Sequence, residues 1–79
     1  MMNLEKYNEI FMTCFELDES KLNDDLLYNS IPAWDSVGHM GMIAAIEESF
    51  DIMMDTDDII DFSSYQKGKE IMKKYDVEL

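Results

Sequence analysis

A chain of 79 residues has room for one small domain, read as residues 1–79, with a thin core and no deep, dry substrate pocket. Six basic against eighteen acidic side chains leave a formal net charge of −12, which repels phosphate backbones and anionic lipid and argues against binding nucleic acid or a membrane surface. It steers the chain instead toward partners with basic patches, at a rate that falls as salt rises.

The opening "MMNLEKYNEIF" has no basic region followed by an apolar run, so no signal peptide is expected. No stretch approaches the length needed to span a bilayer, and a cytoplasmic monomer is the expectation. "NLEKYNEIFMTCFEL" sets Leu4, Tyr7, Phe11, Cys14 and Phe15 at helical spacing, with Asn3 as N-cap and an end near Asp18. Cys14 falls on the apolar side, where a small buried hydrophobe is expected; one cysteine permits no internal disulfide and no zinc cluster. "DESKLNDDLLYNSIPAW" is too long to be wholly structureless. A helical turn at "DDLLY", capped by Asn23, is predicted to press Leu26, Leu27 and Tyr28 onto the core. Pro32 keeps the loop open until Asp35.

A second helix is predicted from Ser36 to Phe50, with Val37, Met40, Ile43, Ala44, Ile46 and Phe50 forming a broad apolar side. Glu47 and Glu48 mark its polar side. Gly38 and Gly41 weaken its first turns, each by up to about 1 kcal/mol relative to Ala, through a need for close approach or through plain tolerance. "DIMMDTDDIIDF" reads as a turn and a short helix capped by Asp55 or Thr56, with Asp57 and Asp58 at the positive end of its dipole. The last helix opens at "SSYQKGKEIMKKY", where Ser63 and Gln66 have capping-box spacing and Tyr65, Ile71, Met72 and Tyr75 are apolar. "DVEL" is expected to fray. No window alternates with period two, so the prediction is all-α: three main helices, one short helix and a long first loop. Trp34, four Tyr and four Phe put the chain on the folded side of the line that its charge approaches. Its crowded carboxylates should make stability respond to divalent cations and to lower pH.

Asp35, Ser36 and His39 supply the residue types of a catalytic triad. The local pattern is nevertheless W-x-S-x-G with no strand before it, and nothing builds an oxyanion hole or excludes water. A lone His at a helix start is read as solvated, and no ester turnover is expected. "DTDDIIDF" breaks the EF-hand order, since Ile59 and Ile60 stand where an acid and a glycine belong, and no metal site is expected. Asp35 or Ser36 can cap the helix, but His39 is no capping-box partner. A serine without its own base can still be modified when another enzyme supplies the activation.

"DSVGHMGMIAAIEESFDI", with "DTDDI" and "KGKEIMKKY", resembles the acyl carrier protein family over nearly the whole chain. Asp-Ser-Val is similar to that family's Asp-Ser-Leu attachment motif, and it opens a helix closing in "IEESF" with a short helix after it. The resemblance implies a freestanding four-helix carrier with no catalysis of its own. Ser36 would be esterified by the 4′-phosphopantetheine of coenzyme A through a magnesium-dependent phosphopantetheinyl transferase. The arm's thiol would carry acyl or aminoacyl groups from a loading ligase to downstream transferases or synthases. Asp35, Glu47 and Glu48 would meet basic side chains on these partners, and Val37 and Met40 would add apolar contact; simple solvation is the alternative for the carboxylates. The many Met residues would pack around a variable cargo, or merely fill the core. A small acidic adaptor without any covalent group is the alternative function.

Carriers of housekeeping fatty-acid synthesis usually read D-S-L-D-x-V-E-L here, and Gly38 and Gly41 replace the two later acids. Trp34 and "GHM" are more similar to stand-alone carriers of specialised pathways, which modify polysaccharides, make secondary metabolites or move an activated amino acid.

Overall fold

Four α-helices carry the architecture of the computed structural model, which describes residues 2–79: α1 Asn3–Phe15, α2 Ser36–Phe50, α3 Thr56–Asp61 and α4 Tyr65–Lys73. A 3-10 turn occupies Glu19–Lys21, and a single isolated bridge pairs Leu27 with Ser64. Among the described residues there is no strand, so the fold is all-α. The Cα radius of gyration is 11.3 Å, against about 12 Å for a folded chain of this length.

α1 buries Tyr7, Ile10, Phe11 and Phe15 along one stripe. Phe11 sits at the centre, with Phe15, Trp34 and Tyr65 edge-on around it and Phe62 stacked against it. Two expectations fail here. Met2 rather than Asn3 occupies the N-cap position, with no side-chain cap bond. Cys14 is exposed, in an open groove between α1 and α2 that Ile10 and Ala45 also line. α1 stops at Glu16, which adopts the left-handed conformation at φ 52°. The amides of Glu16 and Leu17 both donate to Met12 O, satisfying an end carbonyl that has no intrahelical partner.

The predicted helical turn at "DDLLY" is absent. Asn23 does cap a single β-turn, its Oδ1 accepting the Asp25 amide at 2.9 Å and its carbonyl the Leu26 amide at 3.1 Å, but no helix continues from it. Leu26 is buried as expected, whereas Leu27 and Tyr28 are exposed. What holds this part of the loop is pairing to the start of α4: Tyr28 N donates to Ser63 O and Tyr65 N to Leu26 O, each at 2.9 Å. Asn29 then turns through the left-handed region, its amide donating to Trp34 O at 2.9 Å. That reversal draws the Trp34 side chain fully into the core.

α2 spans the predicted residues. Its buried members are His39, Met42, Ile43 and Ile46, while Val37, Met40 and Ala44 lie on the exposed side. α4 begins one residue later than the capping-box reading implies. Ser64, not Ser63, caps it, accepting the Lys67 amide at 2.8 Å. Gly68 lets α4 approach α1 closely, because a Cβ there would stand 2.2 Å from both Phe62 Cζ and the Tyr7 hydroxyl.

α3 is fastened to the chain's end by Asp58, whose carboxylate is almost fully buried. Lys74 Nζ donates to one oxygen at 2.6 Å and the Tyr75 hydroxyl to the other at 2.5 Å. The same Tyr75 oxygen accepts the Asp55 amide at 2.9 Å. Val77 is buried, so the final segment is tied down where fraying was expected. No helix among the described residues is long and apolar enough to cross a membrane.

Candidate functional site

Asp35 stands at the N-cap of α2 with extended backbone, and its Oδ1 accepts the Gly38 amide at 2.8 Å. His39 N donates to Asp35 O at 2.8 Å. Asp35 therefore caps the helix, and the Ser36 hydroxyl is left free of that task. The amides of Ser36 and Val37 find no acceptor among the described residues, as the first turn of a helix dictates. Ser36 is exposed, and its Oγ lies 3.0 Å from the Tyr28 hydroxyl, its one side-chain partner among the described residues.

His39 is buried, contrary to the solvated position expected for it. The Trp34 indole N–H, which can only donate, points at His39 Nδ1 at 2.9 Å. Nδ1 must accept, so the proton sits on Nε2, and Nε2 donates to Ile59 O at 2.8 Å. Ile59 O belongs to the last turn of α3, where carbonyls lack helical partners, and His39 supplies the missing donor. The ring lies nearly parallel to Trp34 and meets Tyr28 and Phe62 edge-on. With both nitrogens engaged, His39 has none to offer Ser36 Oγ, and Oδ1 of Asp35 is taken by the Gly38 amide. The three residues are neighbours in sequence but form no proton relay.

Beside Ser36 runs a cleft of about 370 Å³ between α2 and α3, lined chiefly by apolar and aromatic side chains. Tyr28, Met40, Ile59 and Ile60 form its walls, and His39 and Phe62 lie deeper. Around it the surface carries exposed apolar side chains: Val37 at 82 %, Met40 at 53 % and Ile60 at 72 %. Sequence reasoning named Ser36, Val37 and Met40 but missed Tyr28, His39 and the α3 isoleucines as members of one site.

Comparison with protein-family models, with curated proteins and with solved structures gave no match.

The remaining candidate residues fall into two groups. Glu48 is exposed on α2, and Asp35 is exposed at its start with one carboxylate oxygen on the Gly38 amide. Glu47 is half-buried, and its Oε2 accepts the Met54 amide at 2.9 Å, so this carboxylate closes the connection between α2 and α3. The position of Gly38 has a steric cause. A Cβ there would lie 2.0 Å from Ala33 O, because burial of Trp34 brings the preceding backbone against α2. Gly41 faces open space. Among the described residues no cluster of His, Cys, Asp and Glu is arranged to hold a metal ion.

Proposed function

We propose that this chain is a freestanding acyl carrier protein whose Ser36 hydroxyl is esterified by 4′-phosphopantetheine. Ser36 Oγ attacks the pantetheine-bearing phosphorus of coenzyme A; a P–O bond forms, the pyrophosphate link breaks, and adenosine 3′,5′-bisphosphate leaves. A phosphopantetheinyl transferase supplies magnesium and the base, since among the described residues only the Tyr28 hydroxyl bonds Ser36 Oγ. The thiol of the arm then carries an acyl or aminoacyl group as a thioester between a loading ligase and later transferases or synthases. A tether of this kind raises the effective concentration of cargo at each partner site.

The observation that carries the reading is an exposed serine at the first position of α2, released from capping by Asp35 and set on the rim of an apolar cleft. A phosphodiester on Ser36 would sit at the positive end of a 15-residue helix, beside the unpaired amides of Ser36 and Val37. Val37 and Met40 offer apolar contact to a partner, and Asp35 and Glu48 offer charge to its basic side chains. Glu47 would contribute mainly by holding the connection to α3. Because Gly38 is dictated by Ala33, its difference from the fatty-acid carriers follows from local packing, with the specialised pathways still the favoured setting.

The test is incubation with coenzyme A, magnesium and a broad-specificity phosphopantetheinyl transferase, read by intact mass. One arm should be added to the wild type and none to Ser36→Ala. An unmodified wild type with several such transferases, or labelling that survives Ser36→Ala, overturns the proposal.

The exposed apolar residues Val37, Met40 and Ile60 on an acidic surface also suit an adaptor that binds a basic protein without a covalent group. That reading requires Ser36→Ala to leave partner binding intact.

A further inference from the structure

Building on the carrier reading, we propose that His39 sets the depth of the cleft beside Ser36 and so restricts the carried group to a short acyl chain. The walls of the cleft are flexible or exposed side chains: Met40 and Ile60 stand at its mouth, and Tyr28 leans across from the loop. Its floor is different in kind. His39 bridges it from Trp34 Nε1 on one side to Ile59 O on the other, at 2.9 and 2.8 Å. Phe62 shares that floor, and behind it lie Trp34 and Phe11, fully buried and edge-on to one another.

A chain that pushed past the floor would have to pull His39 off both partners. Separation would strand an indole N–H, an imidazole N–H and a helix-end carbonyl in an apolar interior. Each methylene buried returns only a small gain, whereas each stranded polar group costs as much as several methylenes. The penalty falls all at once and before any gain from deeper burial. Short chains fill the space above His39 without touching the bridge; longer ones meet a closed floor and turn back to solvent. His39 is thus a specificity-determining residue that acts through its hydrogen bonds.

Ser36→Cys in a Cys14→Ser background presents one thiol at the cleft rim, and Cys14 is exposed, so its replacement leaves the core intact. Alkyl methanethiosulfonates from ethyl to hexadecyl attach to it: the thiolate attacks the sulfenyl sulfur, an S–S bond forms and methanesulfinate leaves. The thermal midpoint should climb with each added methylene across the short chains and then level or fall. The Trp34 indole N–H resonance should hold its position at every length. His39→Ala, by opening the floor, should move the levelling point to longer chains. A midpoint that climbs through hexadecyl while the Trp34 resonance shifts overturns the proposal, as does a midpoint indifferent to chain length. An unmoved levelling point in folded His39→Ala also overturns it. Should His39→Ala fail to fold, the length series and the Trp34 resonance decide without it. Because the chains are attached chemically, a failure of enzymatic loading counts against the carrier reading alone.

Discussion

Gly38 and Gly41 stand one turn apart on α2, yet a methyl group added at each meets opposite surroundings. At Gly38 the new Cβ would strike the Ala33 carbonyl oxygen at 2.0 Å, a backbone atom with no freedom to swing aside. Gly38→Ala should cost about 1–3 kcal/mol, the usual range for an overpacked site. Gly41→Ala meets nothing within 4 Å and should add up to about 1 kcal/mol through helix propensity alone. For a chain of this size each kcal/mol moves the thermal midpoint by about 4–8 °C, so circular dichroism melts should separate the two variants with opposite signs. A tolerated Gly38→Ala would sink the steric account. This contrast was not legible in the sequence, where both glycines read alike; it depends on where residue 33 ends up. His39 was misread for a similar reason. Its burial is decided by Trp34, whose indole N–H needs an acceptor once the loop has folded it inward.

α2 was predicted residue for residue, but of its predicted apolar side only Ile43 and Ile46 are buried. Apolar residues occupy two sides of it: His39, Met42, Ile43 and Ile46 share one stripe, and Val37, Met40 and Ala44 share another. Periodicity alone cannot choose between such stripes, and α1 and α3 make the choice. The end of α1 falls short of the Asp18 expected for it because the helix closes on a non-glycine residue in the left-handed region, Glu16. α3, only six residues long, depends on side chains at both of its ends: Asp58 toward Lys74 and Tyr75, and Ile59 O toward His39. Lys74 first, and then Tyr75, hold the Asp58 carboxyl below the usual carboxylate range by hydrogen bonding. A depressed folded-state value means that this contribution is complete above the unfolded value, about 3.9, and is lost as pH falls through the folded one. Asp58→Asn should therefore melt below the wild type near neutrality, and the gap should narrow as pH drops through that window. A gap that stays constant down to strongly acidic pH would show that the charge on Asp58 is not what fastens α3.

The molecule as a whole divides its charge unevenly. Four of the six lysines, Lys67, Lys69, Lys73 and Lys74, lie in or next to α4, while α2 and α3 carry acids and no lysine. A partner with a basic face would be drawn to the acids of α2 and α3 rather than to the lysines of α4. The repulsion within the acidic part should also set the response to salt. The screening length falls from about 30 Å at 0.01 M to about 8 Å at 0.15 M, which spans the 29 × 27 × 20 Å extents of the protein. Thermal midpoints should accordingly rise over that range, and magnesium should achieve the same at lower concentration. A midpoint indifferent to both would mean that the carboxylates are too well solvated to strain the fold. The helical class and the position of Ser36 could be read from the chain, because they rest on local periodicity and one short motif. The cleft could not, because it is assembled from the loop, α2 and α3, and each contributes residues unremarkable in their own segment.

Trp34 is the chain's one tryptophan, and it is buried with its N–H on the residue that floors the cleft. Any event that lifts His39, admits water behind α3 or frees the loop must alter the polarity around that indole. The protein thus contains its own optical probe of that bridge, and emission from Trp34 can report its opening in solution without an added dye.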